Sequence, residues 1–248
     1  MPSIAGRQPS LARGGWLCPS VGNERTEIER RGCIAGRIGE QDSAAGLRNV
    51  ELRWKNSPMC NRYRLTHDMH AWAIAMGLEP LGEYDNLPAP EIFPRRRGWV
   101  VRNGENGRVA EAMVWGFPPP AQATGPVTNV RNLASPFWRS ALADPARRCL
   151  VPANEFCEWQ GEKGAKVARW FSVPSQPTFA FAGLWRPIEA GAAYAFLTCE
   201  PNAVVAPIHP KAMPVILHPE DHERWLAAPM AEAVALAAPF PSQLMAVA

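Results

Sequence analysis

Met59-Cys60-Asn61-Arg62-Tyr63 lies in the interior of this 248-residue chain, yet it has the form of a beginning. If translation starts at Met59 and that residue is removed, Cys60 carries a free α-amine and a thiol on adjacent atoms. Such a 1,2-aminothiol captures an aldehyde in two steps. The amine forms a Schiff base, and the thiol then closes a five-membered thiazolidine. An internal cysteine cannot do this, because its nitrogen is tied up in an amide. Whether Cys60 is ever an N-terminus therefore decides which chemistry is open to it.

The composition changes at the same place. Residues 1–58 are rich in Gly, Arg, Ser and Glu, with Trp16 and Trp54 as their aromatics, and segment 23–31 has charge but no apolar face. They carry nine Lys/Arg against six Asp/Glu, whereas residues 59–248 carry seventeen of each. The basic balance thus belongs to the leader, and a nucleic-acid surface on the remainder must be a local cluster of arginines. Residues 1–58 read as a disordered extension or a mis-called start, and 59–240 as the folded domain.

Within that domain, Asp68 to Met76 has the pattern of a short helix, with Asp68 as N-cap and Gly77 as stop. Leu87 to Pro90 and Phe93-Pro94 should be extended, since proline disfavours helix at the preceding residue. Residues 98–102 and 109–115 read as strands joined by a turn over 103–107. Ser135 and Pro136 predict a helix over 137–142. Short strands follow at 149–151, 156–159, 170–173, 179–182 and 194–199, then helices over 219–228 and 230–238. His67, His70, His218 and His222 read as surface residues. The pattern predicts an α+β fold: a single domain on a strongly curved, mainly antiparallel, barrel-like sheet with a few short peripheral helices.

Several classes are excluded. Hydrophobic content of 47% and charge of 20% suit a globular chain. No run of about 18 apolar residues exists to form a transmembrane helix, and no secretory signal is evident. The six cysteines form no C-x-x-C pair and have no histidine at metal spacing, so neither a metal nor a cofactor is expected. Reduced thiols and a cytoplasmic location follow.

Six motifs then occur in order: Met59 to Tyr63, Val114-Trp115-Gly116-Phe117, Thr128-Asn129-Val130-Arg131, Cys149 to Trp159, Phe181 to Trp185, and Ile208-His209-Pro210-Lys211-Ala212-Met213-Pro214. The set, spanning about 59–228, resembles the SOS-response-associated peptidase (SRAP) family of abasic-site-processing proteins. The resemblance implies covalent crosslinking of an N-terminal cysteine to abasic sites in single-stranded DNA. Carried over by motif, Cys60 is the nucleophile, with Asn129, Glu158 and His209 around it as catalytic groups. Relatives often have Gly where Asn61 stands, Asp-Gly where Asn154-Glu155 stands, and an arginine in a shorter link where Lys211 stands.

The residue types suit these roles. A neutral α-amine attacks the aldehyde, a carboxylate such as Glu158 moves protons as the carbinolamine loses water, and His209 can protonate the ring oxygen of the closed sugar. Asn129 can orient either partner without changing charge. Taken singly, Glu158 reads as the solvent-side residue of an alternating strand, His209 as a loop residue and Asn129 as an Asx-turn. Arg62, Arg131 and Lys211 are candidate phosphate contacts, and Trp115 and Phe117 candidate base-stacking groups. Arg95-Arg96-Arg97 is a solvated loop that can also reach DNA.

The expected function is that of a monomeric DNA-damage and DNA-repair protein of the SOS response. It would sense abasic sites in single-stranded DNA, associate with the nucleoid when bound, and form a thiazolidine DNA–protein crosslink through Cys60 by lyase-like chemistry. Two alternatives stand beside it: a cysteine-type (auto)peptidase, a hydrolase that pairs Cys60 with His209 to release the leader, and a non-covalent single-strand-binding module.

Overall fold

A seven-residue helix needs a firm start, and Asp68 supplies it. In the computed structural model α1 (Met69–Ala75) opens with the Asp68 carboxylate accepting from Ala71 N at 2.9 Å, and Gly77 ends it with φ of +68°. Likewise α2 (Pro136–Ala143) begins at the Ser135 hydroxyl, with Pro136 in its first turn. The structure describes residues 60–78, 88–121, 125–162 and 164–248, all within one compact unit. The expectations for residues 1–58, Met59 and Leu87 lie outside the described residues.

The strands form two sheets. One is a closed ring of five: β3 (Arg97–Gly104), β4 (Gly107–Trp115), β10 (Gly191–Cys199), β9 (Phe179–Ile188) and β6 (Arg148–Ala153), with β6 returning to β3 through Val101 and Leu150. All pairs in the ring are antiparallel except β4 with β10. The β3–β4 hairpin turns on Glu105-Asn106, so both strands run longer than predicted. Three short strands attach to it. β5 (Asn129–Val130) lies parallel to β10 at Phe196–Leu197, β11 (Met213–Pro214) pairs further along β10, and β12 (Ile216–Leu217) pairs with β9.

The second sheet is antiparallel, in the order β13 (Ala246–Val247), β8 (Val167–Ser172), β7 (Glu155–Gln160), β1 (Tyr63–Arg64), β2 (Glu91–Ile92). Residues 241–248, beyond the expected domain end, thus add a strand to the sheet edge. Aromatic rings join the two sheets. Tyr63 meets Trp115 at 5.2 Å and Phe181 at 5.8 Å, Phe156 meets Phe181 at 6.2 Å, and Trp115 stacks on Phe196 at 5.1 Å. Truncating one such ring to alanine costs about 3–5 kcal/mol. The hydroxyls of Tyr63 and Tyr194 pair in this core where a side chain at position 98 would collide with both, which is why Gly98 stands there.

The remaining helices pack outside the ring. The segment predicted as one helix over 219–228 is a 3-10 turn (Pro219–Asp221) followed by α3 (His222–Ala227), and α4 (Met230–Val234) follows. Buried Arg148 donates to Trp225 O at 2.8 Å and Ala228 O at 2.6 Å, while Trp225 Nε1 donates to Cys149 O, so α3 is clamped to β6. His222, expected at the surface, is buried at the start of α3, where burial and then the Arg108 charge push it down to about 4. No helix among the described residues is long and apolar enough to cross a membrane.

Candidate active site

Cys60 enters just before β1 and is buried at the seam between the sheets, 2% exposed. Antiparallel pairing with β7 sets its neighbours. Arg62 O accepts from Cys157 N at 2.9 Å, and the Cys60 thiol points at the same oxygen at 3.7 Å. From the barrel side, Asn129 on β5 donates through Nδ2 to Cys60 O at 3.3 Å and to Thr128 Oγ1 at 2.8 Å. Because β5 hangs on β10, that hydrogen bond ties the cysteine to the ring.

Glu158 comes from β7. Side chains alternate along a strand, so Glu158 shares a face with Phe156, which packs inward on Phe171 and Phe181. It is 2% exposed, which corrects the solvent-side reading. Desolvation pushes its carboxyl up to about 8, so it holds a proton at neutral pH. Burial, and secondarily the charge of Glu158, raise the Cys60 thiol well above its ordinary value.

His209 is buried in the loop between β10 and β11. Its Nδ1 lies 2.8 Å from Ala212 O and is therefore the protonated nitrogen when the ring is neutral. Three buried atoms of these residues, Asn129 Oδ1, Glu158 Oε1 and His209 Nε2, have no hydrogen-bond partner among the described residues. Cys60, Asn129 and Glu158 are brought together. The strip β5–β10–β11 links the loop of His209 to Asn129, and among the described residues His209 makes no hydrogen bond to the other three.

The expected DNA contacts fare differently. Arg62 pairs with Glu91, and its guanidinium lies 4.9 Å from the ring centre of Trp170 and 5.3 Å from that of Phe93. Arg131 donates to Cys199 O at 3.0 Å, Lys211 O at 2.6 Å and Glu200 Oε1 at 2.6 Å. Both guanidiniums are occupied within the fold. Arg131 holds the two ends of the loop carrying His209. Lys211 is exposed and its ammonium has no partner among the described residues. Trp115 and Phe117, expected to stack on bases, are instead core residues, 0% and 2% exposed. Trp115 is sealed by Tyr63 and Phe196 and donates to Thr128 O, so it has no face to offer a base.

Two departures from the expected motifs have local reasons. Asn154 accepts from Thr66 N and His67 N while donating to Pro177 O at 2.6 Å, and an aspartate could do only the first. Asn61 accepts from Trp159 Nε1 at 3.3 Å, which glycine could not. Two groups escaped the sequence reading. Thr128 orients Asn129, and Thr198, paired with Pro214 across β10 and β11, buries a hydroxyl without a partner among the described residues. Thr198 sits in an apolar run, where a hydroxyl is the available signal.

The family described as SOS response associated peptidase (SRAP) matches residues 59–248. A curated relative from Bacillus subtilis (strain 168), named abasic site processing protein YoaM, is 30% identical over 161 residues, covering 59% of this chain and 68% of its own. Among solved structures, a protein from Bordetella bronchiseptica superposes with a TM-score of 0.65 at 23% identity, covering 76% of this chain and 98% of its own. A protein from Bacteroides thetaiotaomicron gives 0.61 at 19% identity, with 76% and 90% covered. These two likenesses show the shared fold.

Proposed function

Because this chain belongs to the SOS response associated peptidase family, we propose that it acts at abasic sites in DNA and captures their aldehyde covalently through Cys60. The curated relative named for abasic site processing supports the substrate. The observation that carries the chemistry is Glu158: a buried carboxyl, protonated at neutral pH, with one oxygen unpartnered among the described residues, and near enough to Cys60 that its ionised form opposes the thiolate.

The steps balance without a cofactor. In the chain that begins at Cys60, the neutral amine adds to the aldehyde carbon and gives a carbinolamine. Glu158 gives its proton to the departing hydroxyl, water leaves, and an iminium remains. The thiol then adds to the iminium carbon and its proton passes to the Glu158 carboxylate, which restores the acid. Neutralising Glu158 also removes the charge that opposes the thiolate. Asn129 fixes the Cys60 backbone, and His209, once Nε2 has taken a proton from solvent, passes it to the ring oxygen when the sugar is closed.

The working unit is the domain from residue 59 onward, acting as a monomer in the cytoplasm on single-stranded DNA. The peptidase alternative needs a thiolate paired with an imidazole. Here the thiol faces Arg62 O and its pKa is raised, which favours the aldehyde reading.

The test compares the full chain with a chain beginning at Cys60 on an abasic oligonucleotide. The expected result is a denaturation-resistant band from the second and none from the first. Equal bands from both would place the nucleophile elsewhere.

A further inference from the structure

Away from Cys60, a recess of about 350 Å³ opens between α2 and the end of β9. Arg186 crosses it, with its guanidinium carbon 4.4 Å from the ring centre of Phe117 and 4.7 Å from that of Phe137. One of its nitrogens donates to Pro118 O at 3.3 Å. Among the described residues Arg186 has no carboxylate partner. It is half-buried, and desolvation lowers its pKa. Arg147 stands on the same recess, 4.9 Å from the ring centre of Trp185. Its nearest carboxylate, Asp144, is 3.9 Å away and also caps the turn before β6 by accepting from Ala146 N.

A half-buried cation without a counter-charge is unfavourable unless something supplies the anion. Two rings fix the plane of this one, so its remaining N–H groups are preorganised for a two-oxygen acceptor, as a phosphate offers. The same recess is walled by the half-buried Phe137, with the buried Trp138 packed behind it, and an aromatic wall suits a flat base. An inorganic anion would leave the rest of the Phe137 wall uncovered, and an apolar ligand would leave both arginines unused.

We propose that this recess binds one nucleotide unit, with the phosphate on Arg186 beside Arg147 and the base against Phe137. The unit is either a free mononucleotide or a nucleotide flanking the lesion in a bound strand, and the second source rests on the function proposed above. That source is within reach. Phe117 bridges to Val127, two residues before Asn129, which is roughly 7 Å of extended chain.

The experiment titrates the full chain with deoxyadenosine monophosphate and with inorganic phosphate by calorimetry, and with a lesion-free single-stranded oligonucleotide by fluorescence anisotropy. The mononucleotide, the oligonucleotide or both should bind. Arg186→Gln should weaken that binding by about tenfold, the scale of a charge-assisted hydrogen bond. Ser140→Glu, at an exposed position of α2 on the recess, should weaken the same binding, and this second variant keeps the test alive if Arg186→Gln melts early. Arg224→Gln, on α3, should change nothing. Loss confined to the mononucleotide assigns a free nucleotide, and loss confined to the oligonucleotide assigns a flanking one. Binding indifferent to both recess variants overturns the proposal, as does phosphate binding as tightly as the mononucleotide. Adduct formation on abasic DNA is read separately. Its absence in the chain beginning at Cys60 would sink the proposed function and leave the mononucleotide result standing.

Discussion

The two faces of β7 handle polar groups in opposite ways. On one, Arg62 and Arg64 pair with Glu91 and Glu155 and lie over the Trp170 ring, so every charge there has a counter-charge or a π-face. On the other, Glu158 is buried with an oxygen unpartnered among the described residues, and across the seam Asn129 is in the same condition. Burying a polar group without a hydrogen bond is unfavourable, and a fold tolerates it where something else gains. The satisfied face therefore reads as the frame that holds β1 in register. The unsatisfied one reads as the place a substrate completes.

The most severe way to break that contrast is to remove the nucleophile itself. In the chain beginning at Cys60, Cys60→Ser keeps the amine and loses the thiol, so heat-stable adducts should vanish while borohydride-trappable ones persist. Cys60→Ala should behave the same way. Denaturing gels with and without reductant read both outcomes, and a heat-stable adduct from either variant would move the chemistry to another residue.

Glu158 comes next, because it belongs wholly to the unsatisfied face. Glu158→Gln should slow adduct formation by about 10²-fold if the carboxyl is the general acid and base. It also has a stability signature. The folded chain keeps this proton to about pH 8, while an unfolded glutamate releases it near 4.3, so folding takes up a proton between those values. The stability this confers is fully present below about pH 4.3 and is lost as pH rises through 8. Thermal melting of Glu158→Gln against wild type should show an advantage that grows from pH 5 to pH 9. A constant difference would mean that Glu158 is not buried as a carboxylic acid.

Much of this was legible in the sequence, and for identifiable reasons. Asp68, Ser135 and Pro136 announced their helices because capping is local chemistry, and the short strands were visible by alternation between turn signals. The barrel-like curvature was legible too, but the pairings that close the ring were not, since they rest on one parallel pairing between β4 and β10, strands about eighty residues apart, and on a single contact of Val101 with Leu150. Side-chain satisfaction was also hidden. An arginine or tryptophan near a nucleophile looks available in a sequence, whereas Arg62 is held by Glu91 and Trp115 is sealed by Tyr63 and Phe196. The reverse holds for Glu158, where alternation names two faces without saying which is wet.

Smaller effects should come from the loop after β10. His209→Ala removes the acid for ring opening, so capture of a cyclic abasic sugar should slow by about tenfold more than capture of a simple open-chain aldehyde. Equal slowing on the two aldehydes would end the ring-opening role. Arg131→Ala should act through position, because it frees Cys199 O, Lys211 O and Glu200 together. Melting should fall by roughly 2–4 °C for each kcal/mol lost in a domain of this size. The rate should drop on the cyclic substrate with little change in the salt dependence of binding.

Lys211 carries the mildest expectation and the sharpest contrast with the satisfied arginines. Its carbonyl is pinned by Arg131, so the backbone is placed, while its ammonium is exposed and unpaired among the described residues. A cation held in that way is available to a phosphate, whereas the Arg62 guanidinium would first have to leave Glu91. Lys211→Gln should therefore weaken single-strand binding a few-fold at low salt, with or without a lesion. It should also make the plot of log affinity against log salt shallower by about 0.7, the value for one phosphate contact on a single strand. Adduct formation at saturating DNA should be unchanged, because a phosphate contact positions the strand and takes no part in proton transfer. Arg62→Gln should leave the salt slope as it is and lower the melting temperature instead. If Arg62→Gln flattens the slope while Lys211→Gln does not, DNA displaces Glu91, and the frame and the binding surface are the same face.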